Sequence, residues 1–160
     1  FAAPDTSFQA FAGQLRAFAD LVDNVTVTIN QSDYVLAISK RFGERQSRLG
    51  APDTSEMDPK YANWARELTL TGKLDVIYID TDAVPDIAAG AHDYWFNNRW
   101  VSTDVLTLLS MSISPAQRGL KRVERDGWVS WYFPDNYEQR IAALYRQSLE
   151  AQQQELRKAQ

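Results

Sequence analysis

Apolar residues recur at helical spacing early in the chain, at Phe8, Phe11, Leu15, Phe18, Leu21 and Val22. One face of an amphipathic helix buries such a stripe, and Ser7 stands where its N-cap belongs. The pattern then changes to the β-branched run "NVTVTIN", which predicts a strand. Next, "QSDYVLAISKRFGE" predicts a polar turn and a helix, with Gly43 as its C-cap. The turn-rich "RQSRLGAPDTSEMDP" predicts a loop, and "KYANWARELTL" a short helix. The near-continuous apolar run "LDVIYID" is the pattern of a strand covered on both faces, as in a parallel sheet.

Beyond it, "TDAVPDIAAGAHDYWFNNRW" predicts a long loop. A helix follows over "VSTDVLTLLSMSI", capped by Ser102 or Thr103, with Leu106, Leu109 and Met111 among its apolar residues. "SPAQRGLKRVERDG" is expected to be a surface connection and "WVSWYFPDNY" an amphipathic aromatic edge strand. The last helix, "YEQRIAALYRQSLEAQQQELRKAQ", is apolar at Ile141, Leu144, Tyr145 and Leu149 and polar thereafter. "FAAPD", at the other end, fits the tail of a buried strand leaving a sheet. Alternating helices and apolar strands argue for an α/β fold, a partial doubly wound parallel sheet with helices on both faces. Residues 1–120 are expected to form its core, and 121–160 an aromatic extended segment and a helix.

Composition narrows the function. One hundred and sixty residues, 44% hydrophobic and 24% charged, suit one globular domain. A net charge of −4 without a basic stripe argues against a nucleic-acid partner. The lack of cysteine excludes a thiolate nucleophile, a disulfide framework and cysteine-based metal sites. No apolar run approaches the roughly 18 residues of a membrane span. The first residue is Phe1, not Met, so the chain is expected to start inside a longer gene product.

The chemistry centres on "AAGAHDYWFNNRW", which holds His92, the one histidine. In open parallel sheets functional residues gather in loops at the carboxyl ends of strands. Ser32 and Asp33 follow "VTVTIN"; His92 and Asp93 follow "VIYID". An aspartate can accept the imidazole N–H, fix the ring's tautomer and stabilise the imidazolium that forms on proton uptake. Asp33 is also well placed to cap the helix that follows it, in competition with Ser32. Asp80 is an alternative acid. The pair Asp80 and Asp82 in "IYIDTD" has the D-x-D form that can hold a divalent cation, although no spacing in the chain is diagnostic of a metal or cofactor, and none is expected. Tyr94 and Trp95, with Phe96 and Trp100, could line an acyl pocket beside His92 or pack its loop onto the sheet.

"AAPD", "VTVTI", "SDYVLAIS", "RLG", "VIYIDTDAV", the Gly-x-His-aromatic loop and "VSTDVLTLL", in that order over residues 1–120, resemble the carboxyl-terminal half of an α/β-hydrolase-fold protein. The likeness is to bacterial α/β hydrolases of unassigned function. It implies that Asp33 is the acid and His92 the base of a catalytic triad in a serine esterase. In that fold the nucleophile precedes the acid on a G-x-S-x-G elbow. This chain has no such motif; Ser7 precedes Asp33 but in a non-glycine context. The expected partner is therefore an amino-terminal half that carries the serine, or a second copy of the chain, with a small-molecule ester as substrate. The isolated chain would be catalytically incomplete. An extracytoplasmic ligand-sensing domain is the alternative, with a mostly antiparallel sheet and with His92 and Trp95 on the ligand. A non-catalytic scaffold of hydrolase fold is a third reading.

Overall fold

The computed structural model describes residues 1–42, 48–53, 57–88 and 90–158. Helix α1 (Phe8–Phe18) starts at Ser7, whose side chain accepts the Ala10 N–H at 3.1 Å. A 3₁₀ turn over Ala19–Leu21 ends it, and this tighter winding turns Leu21 out to solvent rather than onto the core stripe. Strand β1 (Val25–Ile29) follows, then α2 (Tyr34–Phe42) and α3 (Pro59–Leu70). The expected C-cap of α2, Gly43, lies outside the described residues. Helix α3 opens with Pro59 in its first turn and Asp58 accepting the Lys60 N–H, two features that favour a helix start.

Strand β2 (Leu74–Tyr78) runs parallel to β1, in register from Val25 opposite Leu74 to Ile29 opposite Tyr78. The long loop after it contains a short helix, α4 (Tyr94–Asn97), and α5 (Arg99–Met111) begins earlier than the sequence pattern suggests. Its N-cap is Asn98, whose side chain accepts the N–H groups of Trp100 and Val101, and not Ser102 or Thr103.

The stretch 114–127 is not merely a surface connection. It contains β3 (Lys121–Arg125), which pairs antiparallel with β4 (Trp128–Tyr132) across Asp126-Gly127. Both turn residues have positive φ, 52° and 75°, which a two-residue hairpin turn of this twist requires and Asp-Gly supplies. The sheet order is β1-β2-β4-β3, so β4 is an interior strand, parallel to β2, rather than an edge. Its aromatics are half-buried because both sides of the strand are occupied. Helix α6 (Tyr137–Lys158) is the last of the described elements.

Two apolar clusters sandwich the sheet. Alternation along the strands sends Val25, Val27, Ile29 and Leu74 to one face, against Phe8, Phe11, Leu15 and Ala65 of α1 and α3. Ile77 points to the other face, with Trp100 and Val101 of α5 and Tyr137 and Ile141 of α6. The protein is thus α/β, with a mostly parallel open sheet and helices on both sides. Residues 121–158 share the sheet and the core with those before them. Phe1 runs beside β1: its amine donates to Thr26 O at 2.8 Å and its carbonyl accepts Thr28 N–H at 3.0 Å. That is the spacing of a parallel ladder. Ala3 is buried where the chain departs, while Phe1 itself is exposed.

Candidate active site

Because β1 and β2 are parallel neighbours, the loops that leave their carboxyl ends lie side by side. The first loop is short and tightly bonded. Asn30 Oδ1 accepts Ser32 N–H at 2.9 Å, and the Asn30 carbonyl accepts Asp33 N–H at 3.1 Å. Asp33 then starts α2, its Oδ1 accepting Leu36 N–H at 3.1 Å. Its other oxygen, Oδ2, lies 2.8 Å from His92 Nδ1. The cap foreseen for Asp33 and its contact with the imidazole therefore use different carboxylate oxygens, while the Ser32 side chain takes no part in the cap. Of the two possible acids, Asp33 is the one that meets the imidazole. Asp80 instead accepts Asp82 N–H at 3.0 Å and closes the turn that leaves β2.

The second loop is tied to the first by a backbone and a side-chain hydrogen bond. Tyr34 N–H donates to Gly90 O at 3.3 Å and Asn30 Nδ2 to Ala91 O at 3.4 Å. Gly90 has φ +80°, and a Cβ placed there would stand 3.0 Å from the Cβ of Tyr34. Only glycine meets both demands without strain.

The Asp33 side chain is fully enclosed, whereas that of His92 is 36% exposed. An ionised carboxylate only accepts hydrogen bonds, so Nδ1 of a neutral ring beside it carries the proton. Nε2 then carries the free lone pair. Asp33 is the one hydrogen-bond partner of this imidazole among the described residues. The arrangement is a partly exposed imidazole, held through Nδ1 by an enclosed carboxylate and able to accept a proton at Nε2.

Tyr94 does not reach this opening. It is 1% exposed, its hydroxyl lies 3.3 Å from Thr28 Oγ1, and burial pushes the phenol up to about 12. A side chain so enclosed has no surface to offer a substrate. Trp95 and Phe96 are the exposed aromatics of the segment, edge to face at 4.8 Å. Trp100 is buried and donates its indole N–H to Glu138. Among the described residues no three His, Cys, Asp or Glu side chains come together as a metal site.

Two hollows lie nearby. One, of about 370 Å³, is apolar and opens on the α1 and α3 side of the sheet, between Phe8, Phe11, Ile29, Val76, Tyr78 and Trp128. The other, of about 350 Å³, is polar and lies beside Gln31, Asp33, Lys40 and Arg48. His92 lines neither.

The sequence pattern did not single out Asn30 as part of this site. Its one signal is a polar amide directly after a β-branched strand. No family model, curated protein or solved structure matches the chain. Among the described residues no helix is long and apolar enough to cross a membrane.

Proposed function

We propose that the chain supplies the acid and base of a serine hydrolase of α/β-hydrolase type, with Asp33 as the acid, His92 as the base, and ester or related acyl bonds as substrates. The observation that carries this reading is the 2.8 Å contact between an enclosed Asp33 carboxylate and Nδ1 of a half-exposed His92. The two residues follow adjacent parallel strands, as the acid and base of that fold do. The parallel arrangement of β1, β2 and β4 favours this reading over a sensor, for which a mostly antiparallel sheet is expected.

The chain has no G-x-S-x-G motif. In this reading the nucleophilic hydroxyl comes from another segment or polypeptide and approaches Nε2. His92 takes the hydroxyl proton as the serine oxygen attacks the acyl carbon. The imidazolium, steadied by Asp33, then gives that proton to the departing alkoxide. Water repeats the cycle on the acyl-enzyme and releases the acid. Trp95, exposed on the His92 segment, is the side chain proposed to touch the substrate.

Fluorophosphonate labelling of the purified protein, read by intact mass, tests the proposal. Label on a serine of a companion polypeptide that co-purifies, lost when His92 is replaced by Ala, is the expected result. The absence of any label from a sample that contains every companion would overturn it. In a preparation that turns over an ester, His92→Ala should lower kcat by about 10⁶-fold and Asp33→Asn by about 10⁴-fold. Unchanged rates in both would end the assignment.

A further inference from the structure

The dyad depends on two loops keeping one distance, and besides the Asp33–His92 contact itself the buried side chain of Asn30 ties them together. Asn30 is 1% exposed. Burying an amide costs free energy unless its polar atoms are bonded, and each end of this one has a different task. Oδ1 holds Ser32 N–H and so shapes the turn that presents Asp33. Nδ2 reaches across to the carbonyl of Ala91, the residue before His92. The main chain of Asn30 is anchored as well: its N–H donates to Gly50 O at 2.7 Å and its carbonyl accepts Asp33 N–H.

We infer that Asn30 is the positioning residue of the Asp33–His92 pair, fixing the acid through its own turn and the base through Ala91. This rests on the proposed catalytic role of that pair. Asn30 acts through the two loops and touches no reacting atom. An apolar residue of similar size would fill the same space but hold neither loop. A serine could still accept Ser32 N–H, but it is too short to reach Ala91.

The test uses the fact that the chain has one histidine, so all imidazole nuclear magnetic resonance signals belong to His92. With the ring neutral, the wild-type chain should show the Nδ1–H tautomer and a far-downfield proton bonded to Nδ1. Asp33→Asn should lose that proton and return the ring toward the Nε2–H form. Asn30→Ser should do the same while amide signals away from residues 30–34 and 90–93 stay in place. Should Asn30→Ser not fold, Asn30→Asp keeps the shape and the acceptor for Ser32 but lacks a donor for Ala91, and the same loss is expected. If either Asn30 variant folds and keeps the wild-type proton and tautomer, the positioning role is overturned and the dyad stands. If neither variant folds, Asn30 serves the fold rather than the site, and the role is again overturned. If wild type lacks the bonded proton, or Asp33→Asn leaves the ring unchanged, the catalytic reading itself falls and takes this inference with it.

Discussion

Asp33 spends its two carboxylate oxygens on different elements, and that division can be measured. Asparagine is as good an N-cap as aspartate, so Asp33→Asn should stay within a few tenths of a kcal/mol of wild type in urea unfolding. Asp33→Ala loses the cap as well and should cost about 1 kcal/mol. A large stability loss in the asparagine variant would mean that its charge, not its cap, holds α2. Gly90 is the other residue whose identity is dictated locally. Gly90→Ala places a Cβ 3.0 Å from Tyr34 at φ +80°. The expected cost is about 1–3 kcal/mol, with loss of the Asp33-bonded imidazole proton. Asp33 and His92 were both legible as candidates because strand ends in parallel sheets collect polar residues. That they touch was not legible, since nothing local sets the distance between residues so far apart in the chain.

At the scale of elements, caps and turns decided more than periodicity did. The apolar pattern placed α1 and α3 closely because one-sided burial imposes the helical period on the sequence, and β1 and β2 because strands covered on both faces read as short apolar or β-branched runs. It misplaced the start of α5, where a buried Asn98 caps the helix from within an aromatic run and also donates to Pro85 O at 2.7 Å. Asn98→Ala should destabilise the protein by about 1–2 kcal/mol through the lost cap. An unchanged denaturation midpoint would transfer the cap to Ser102 or Thr103. The hairpin of β3 and β4 turns at Asp126-Gly127, a signal that the expectation of a surface connection passed over, and the charged sequence of β3 gave no strand pattern. Its flanks are exposed, so no burial stripe marks it.

The whole molecule contains an ion pair that no local signal announces. Arg118 and Asp104 are both buried and bonded twice, at 2.8 and 3.2 Å. Removing one partner strands the other charge, so Arg118→Met should cost about 3–5 kcal/mol, and Arg118→Met with Asp104→Leu clearly less. A double variant as unstable as the single one would show that shape rather than charge is at stake. Asp75, buried nearby, is raised above its ordinary 3.8 mainly by desolvation, with Arg118 opposing. Folded Asp75 thus holds its proton more tightly than unfolded Asp75. Stability from this group is lost as pH rises from 3.8 through the folded value. Asp75→Asn should therefore be more stable than wild type at neutral pH and show a flatter pH dependence in the acid range. Tyr94 acts likewise in alkali, with stability falling as pH rises from 10 toward 12.

Sequence alone determined the α/β class, the parallel character of β1 and β2, and the two residue types able to act as acid and base. These follow from side-chain periodicity and from the chemistry of single residues, which are local properties. Tertiary structure decided which acid meets His92, that Tyr94 belongs to the core, and that β4 lies inside the sheet. Each of these depends on distances between segments remote in sequence, and only packing sets those distances.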